Sequence, residues 1–379
     1  MLQTNSYDSW TSEMFKAYIL DLAVFGTNHI DLIPPNSDDF SSSPHRLVNP
    51  LAMLNAVSAA ADAYDINCSL WYPAMYDNYS NPSVMAAAEA EWTSVFTAMP
   101  RINGIFLPGG DPGKHTPSEL ISIAAAQAAV LHKYHPGASV WLSPQSFNAM
   151  EMREWNEQIR LPSTRSFLTG IVYGPWIRVT LEEFVPTVPS YYPLRNYPDL
   201  GHTISCELPV PEWDYAFAFT EGRETINPRP RYHAGVVAHD APMTAGFAGY
   251  SEGCNDDVNK VVWSALHWGA DQSAQGLGPS ISFPSMEQHF DSDDSLIDAI
   301  IRDYAGFFGG SHLATDYIAV IYGLEENWHG RAAGNDSTVE HTFAAMQRLE
   351  SAMNVRDLFN WRLMQARYRA CFDMIVRWA

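Results

Sequence analysis

The feature that most constrains this chain is its alternation of short apolar runs with longer amphipathic stretches. Runs at His29–Ile33, Ile66–Tyr72, Gly104–Leu107, Ser139–Ser143, Gly170–Tyr173, Pro193–Tyr197 and Gly246–Tyr250 have the length and make-up of buried parallel strands. Helical stretches separate the earlier runs: Pro50–Tyr64, Ser83–Ala98, Pro117–Tyr134 and Met150–Ile159, with Ser12–Phe25 leading. Such alternation predicts an α/β fold of the (β/α)8 TIM-barrel type. Seven strands are counted where a closed barrel wants eight, so the first strand is missing or replaced by Met1–Ser6. The alternative is a doubly wound α/β sheet, which needs no eighth strand. Against it, Gly109-Gly110-Asp111-Pro112-Gly113 has neither the GxGxxG nor the Walker spacing of a phosphate loop.

The pattern changes near residue 270. Residues 1–270 are read as the catalytic barrel, and 271–293, rich in Gly, Ser, Pro and Gln, as a loop or linker. Residues 294–379 are read as a helical region packed on the barrel, with helices at Asp294–Phe308, Ala314–Asn327, Ser337–Met353 and Val355–Trp378.

Composition excludes several functions. A formal charge of −21 makes nucleic acid and anionic membranes poor partners, because phosphate binding needs clustered Lys and Arg. No apolar run approaches the roughly 18 residues of a membrane helix. Met1–Trp10 is polar and lacks the charged-then-apolar plan of a signal peptide, which fits a soluble chain or the processed form of an exported one. Cys68, Cys206, Cys254 and Cys371 form no CxxC pair, and the 13 His form no HxH or HExxH cluster. Neither a metal site nor any other cofactor is therefore expected. His29 and His115 stand as isolated side chains, and no GxSxG elbow is present.

In a parallel barrel, function gathers at the C-terminal ends of the strands. There the chain places Trp71-Tyr72-Pro73, then Pro108 through His115 around Asp111, and Ser143-Pro144-Gln145. Tyr173-Gly174-Pro175-Trp176, Arg195-Asn196-Tyr197-Pro198-Asp199 and Tyr250-Ser251-Glu252 follow. Carboxylates, aromatic rings and amides at successive strand ends are what a sugar site needs: acceptors for hydroxyls, platforms for ring faces and a carboxyl pair for acid–base work. Asp111, in a turn where backbone approaches closely, is the candidate general acid. Glu252 and Asp199 are the candidate partner carboxylates. Trp71, Tyr72, Tyr173, Trp176 and Tyr197 are candidate platforms or hydroxyl-binding groups, each balanced against a place in the core. Arg195 either binds a carboxylate-bearing sugar or pairs with one of these strand-end acids. Of Asp256 and Asp257, one caps the following helix, Val258–His267, and Asp256 is the candidate for sugar hydroxyls.

With these residues in hand, the chain resembles the α-glucuronidase-type glycoside hydrolases (family 67) and, more loosely, the barrel β-N-acetylhexosaminidases (families 20 and 84). An acid followed by Pro-Gly at a strand end resembles that family's general-acid loop, with Asp111 standing where the family has Glu. Gly174-Pro175, the segment Tyr192 to His202 and the stretch Asn255 to Trp268 complete the likeness. The chain departs from the family in having Trp176-Ile177-Arg178 where a carboxylate is found, and Arg195-Asn196 in place of a Glu within the strand. The resemblance implies an O-glycoside hydrolase acting on an oligosaccharide or glycoside. A barrel that binds a saccharide without cleaving it is the alternative.

Overall fold

Six of the helices that flank the sheet begin on the same local device, and Thr11 and Thr180 supply it for two of them. Asn49, Asn81, Thr116 and Asn148 each stand at an N-cap and accept a hydrogen bond from a backbone amide of the first turn. At Thr116 and Asn148 a Glu three residues on closes a reciprocal capping box. In this computed structural model, residues 10–37, 47–110, 112–198, 200, 228–250, 256–274, 294–327 and 337–378 are described. The chain forms two compact units, Met1–Pro198 with Met243–Ala248, and Asp199–Pro242 with Gly249–Ala379.

The first unit is a curled half-barrel of six parallel strands: β1 (His29–Leu32), β2 (Asn67–Trp71), β3 (Gly104–Leu107), β4 (Ser139–Leu142), β5 (Gly170–Tyr173) and β6 (Leu194–Asn196). Its helices are α1 (Ser12–Val24), α2 (Pro50–Ala63), α3 (Pro82–Ala98), α4 (Pro117–Tyr134), α5 (Ala149–Gln158), α6 (Pro162–Arg165) and α7 (Leu181–Phe184). The strands lie in the sheet in chain order, without the reversal that defines a doubly wound sheet. The run expected as a seventh strand, Gly246–Tyr250, meets β6 through one parallel bridge, Asn196 to Phe247. Ala245 N–H donates to Leu194 O at 2.7 Å and Ala248 N–H to Asn196 O at 2.9 Å.

Strand alternation divides the side chains into two environments. Leu70, Ile105, Val140, Leu142, Ile171 and Leu194 face the helices, where they pack in one apolar core with Val57, Trp92, Val95, Leu120 and Trp155. The opposite face carries two rows fixed by the strand register. Asp31, Ser69, Gly104 and Ser139 form one; Trp71, Phe106, Trp141 and Gly170 form the other. A Cβ on Gly170 would fall inside the Trp141 indole, so only glycine lets that ring lie across β5.

The second unit contains α8 (Pro230–Asp240), α9 (Asp257–Ala274), α10 (Asp294–Gly309), α11 (Ala314–Glu326), α12 (Thr338–Ala352) and α13 (Trp361–Trp378). Helix α8 has no counterpart in the sequence reading, and α9 runs to Ala274, past the expected start of a linker at residue 271. The last helix starts at Trp361 rather than Val355. Asn354 Oδ1 accepts the Arg356 amide at 2.8 Å and turns the chain, and Asn360 Oδ1 then accepts from Arg362 N–H at 3.1 Å. Among the described residues, no helix is long and apolar enough to cross a membrane.

Candidate functional site

An ion pair shows how far the sheet curls. β1 and β6 are five strand spacings apart in sequence order, which in a flat sheet is about 24 Å. Yet Arg195 Nη2 on β6 lies 3.0 Å from Asp31 Oδ2 on β1, across the concave face. The guanidinium carbon sits 5.3 Å from the centre of the Phe106 ring and 5.4 Å from that of Trp141. His29 Nε2 donates to the other Asp31 oxygen at 3.1 Å. Burial pushes the Asp31 carboxyl up, but the Arg195 charge and the His29 contact outweigh it and hold it at about 2. Asp31 is thus ionised at neutral pH, beside the Arg195 guanidinium.

Around this pair the concave face carries aromatic rings and uncharged polar groups. Ser69 Oγ, Trp71 Nε1, Ser143 Oγ and Gln145 Oε1 are buried, and their hydrogen-bonding capacity is not used by any described residue. Gln145 reaches Gly174 and Tyr197: a Cβ on Gly174 would stand 3.0 Å from Tyr197 Cδ1 and 3.3 Å from Gln145 Cδ. The Tyr197 ring meets Phe106 edge-on at 5.4 Å. Buried polar atoms are nearly always satisfied in folded proteins, so open ones on a concave sheet face are groups with capacity for polar ligand atoms.

The strand-end loops are locked to one another. A Cβ on Gly109 would lie 2.8 Å from the carbonyl oxygens of both Ser143 and Gln145, so the glycine lets the loop after β3 press against the loop after β4. Ser146 N–H donates to Trp176 O at 3.2 Å, joining the loops after β4 and β5. Trp176 itself has φ +67°, a left-handed conformation unusual for a bulky residue, and its side chain is 48% exposed. Behind the loops after β1 and β2, the Glu91 carboxylate of α3 accepts from Tyr72 Oη at 2.8 Å, Tyr76 Oη at 2.9 Å and Asn36 Nδ2 at 2.8 Å.

The sequence-predicted residues separate into three groups. Trp71, Arg195 and Tyr197 converge around Phe106 on the concave face, and Trp176 lies on a neighbouring loop. Tyr72 is 1% exposed in the sheet–helix layer, and Tyr173 turns its hydroxyl to Val179 O at 3.0 Å with its ring against Phe184. Asp256 belongs to the second unit, where it is buried with Oδ1 3.2 Å from Lys260 Nζ. Asp111, Asp199 and Glu252 lie outside the described residues. Sequence reading missed Asp31. Its signal was available, because an acid within a strand of a parallel sheet demands a buried partner. Gln145 was seen as a strand-end residue but not as part of a site.

No protein-family model matches the chain, and no curated protein matches it either. Solved structures match it only at low similarity. Dispersin B is 14% identical, with 69% of this chain and 95% of its own covered and a TM-score of 0.43. CpGH84B is 11% identical, with 97% of this chain covered and a TM-score of 0.49, and the chain spans 66% of its length. A lysine-bound DHDPS from Cyanidioschyzon merolae is 9% identical, with 95% and 92% covered and a TM-score of 0.42. The structural neighbours are mostly glycoside hydrolases.

Proposed function

We propose that this chain is a glycoside hydrolase that binds a saccharide on the concave face of its half-barrel and cleaves an O-glycosidic bond. The observation that supports it is the set of buried, uncharged hydrogen-bonding groups on and above the concave face, with Trp71, Ser143 and Gln145 towards the strand ends beside the Phe106, Trp141 and Tyr197 rings and Ser69 deeper, opposite Gly104. Hydroxyl-rich rings with apolar faces match both kinds of surface. On this reading the half-barrel belongs to an eight-stranded (β/α) barrel. Asp111 is the general acid, Glu252 or Asp199 is the partner carboxylate, and Trp71, Trp176 and Tyr197 hold the sugar. Tyr72 and Tyr173 stand behind such contacts through their own partners.

A second reading, a barrel that binds a saccharide without cleaving it, draws on a different observation. The one carboxylate on the concave face among the described residues is Asp31, held ionised at about 2 and so unable to protonate a leaving group.

Release of nitrophenol from a panel of aryl glycosides, uronides and N-acetylhexosaminides separates the two. Turnover is expected to persist in EDTA. Asp111→Asn is expected to slow substrates with poor leaving groups about 10²–10⁴-fold, and activated aryl glycosides much less. Equal slowing of both, or of neither, removes Asp111 from the role of acid. Saccharide binding with no turnover of any panel member establishes the second reading.

A further inference from the structure

We propose that Asp31 sets the charge selectivity of the concave face: by pairing with Arg195 it makes the site take an uncharged sugar ring and exclude one that carries a carboxylate. The inference rests on the carbohydrate reading above and names the class of sugar. An arginine facing a ligand site ordinarily invites a carboxylate, which its planar fork binds through two parallel hydrogen bonds. Here that invitation is already answered. Asp31 Oδ2 lies 3.0 Å from Arg195 Nη2; Arg195 is buried and Asp31 largely so, at 9% and 14% side-chain exposure. A second anion would be placed beside Asp31 with little water to screen it, and like charges in such surroundings repel strongly.

What the guanidinium retains is geometry rather than charge. Its Nε–H makes no hydrogen bond to any described residue, and neither do Ser143 Oγ and Gln145 Oε1. Neutral hydroxyl oxygens can accept from that N–H and hydroxyl hydrogens can satisfy the oxygens, all without adding charge. On the neighbouring strand the Cys68 thiol, pushed up to about 12 chiefly by burial and further by the Asp31 charge, stays neutral; His29 donates to the other Asp31 oxygen at 3.1 Å. It therefore leaves the carboxylate no face on which to release Arg195. The Phe106 and Trp141 rings beside the guanidinium supply the apolar remainder.

The test measures binding of glucose, glucuronate and acetate to the full chain by ligand-observed NMR at constant ionic strength. The wild type is expected to bind glucose in preference to glucuronate and to give no acetate signal. In Asp31→Asn the uncompensated Arg195 is expected to raise the glucuronate-to-glucose affinity ratio about tenfold and to bring in acetate, since charge-assisted hydrogen bonds are roughly twice as strong as neutral ones. The double variant Asp31→Asn/Arg195→Gln, which replaces the pair by neutral groups of similar shape, is expected to keep the wild-type ratio and serves if the single variant does not fold. Glucuronate bound by the wild type as well as glucose overturns the proposal. So does a folded Asp31→Asn with an unaltered ratio and no acetate binding, or a double variant that gains glucuronate. The acetate arm keeps the two readings apart: acetate captured by Asp31→Asn while no variant binds either sugar would leave the charge pairing intact and sink the carbohydrate reading.

Discussion

The two units use buried charge in opposite ways. In the first unit the layer between sheet and helices is apolar, and the ion pair between Asp31 and Arg195 is held on the concave face, where polar groups still have capacity to spare. In the second unit charges are built into the helix packing itself. Asp257 on α9 takes Arg362 of α13 at 2.6 Å and Tyr304 Oη of α10 at 2.8 Å. Asp373 takes Arg369 at 3.0 Å and Asn327 Nδ2 at 2.9 Å. Helix α13 accordingly buries Arg362, Arg369 and Asp373 while Tyr368, Ile375 and Trp378 stay exposed. Charge placed in a scaffold is consumed by its partners. On the concave face the charges are likewise matched, but the neutral groups beside them keep hydrogen-bonding capacity for a ligand.

The sharpest way to break this comparison is to remove one partner from each unit. Arg362→Met leaves Asp257 buried without its cation, and breaking such a pair costs about 3–5 kcal/mol. Urea unfolding of the full chain should show that loss in the transition of the second unit, and Asp257→Leu with Arg362→Met should recover most of it. Arg195→Met is expected to cost less, because His29 still donates to Asp31. Equal losses at the two sites would erase the distinction.

The same distinction explains what the sequence disclosed. Helices α2 to α5 were legible within one residue at either end because their stop and start signals are local, as at Thr116-Pro117 with Glu119 three residues beyond the cap. Helix α8 was not, because its first amides are capped from far away: Glu325 accepts from Tyr232 N–H at 3.0 Å and Arg231 N–H at 3.3 Å. The site divides similarly. Trp71, Trp176 and Tyr197 follow from the rule that strand ends carry function. The pairing of Arg195 with Asp31 depends on the curl that brings the first and last strands together, and no spacing in the sequence encodes it.

Acid titration sharpens the contrast, since the two units carry opposite signatures. Burial pushes the Glu325 carboxyl up to about 7, and the amides of Tyr232 and Arg231 only partly offset it. The folded state then keeps a proton that the unfolded chain loses above about 4.5. Stability from this group is greatest in acid, falls as pH rises towards 7 and is level beyond, a change on the order of 3 kcal/mol. Asp31 runs the other way. Its contribution is present above the ordinary carboxylate range and is lost as pH falls through about 2. Glu325→Gln should flatten the urea midpoint between pH 4.5 and 7; a midpoint that still declines there assigns the proton elsewhere.

Glycine replacement gives a smaller effect with opposite sign in the two units. Gly109→Ala drives a methyl group against two backbone carbonyls 2.8 Å away, which cannot yield as a side chain would. A loss of about 1–3 kcal/mol is expected, as for other overpacked sites. Gly306 lies inside α10 with nothing within 4 Å of a new Cβ, so Gly306→Ala should stabilise its unit by about 1 kcal/mol through helix propensity alone. Thermal unfolding of both variants checks the pair, and a loss at Gly306 would show that the groove beside it is filled.

The smallest change in stability, and the most informative about function, is expected at Trp176. Its left-handed backbone costs an L-residue roughly 1–2 kcal/mol, which glycine would recover. Ser146 also has positive φ, at +63°, but a short polar side chain tolerates that conformation far better than an indole does. Because the Trp176 ring is 48% exposed, its removal sacrifices little packing. Trp176→Gly should therefore unfold at nearly the wild-type temperature or slightly above it. A strained and exposed tryptophan at a strand end is retained for what it touches, and on the carbohydrate reading that is the face of a sugar ring. Saccharide affinity should then fall about tenfold, in line with an aromatic contact worth up to about 1.5 kcal/mol beyond its buried area. A variant that is both more stable and equally good at binding sugar would leave the strain at Trp176 without a functional explanation and move the platform to Trp71 or Tyr197.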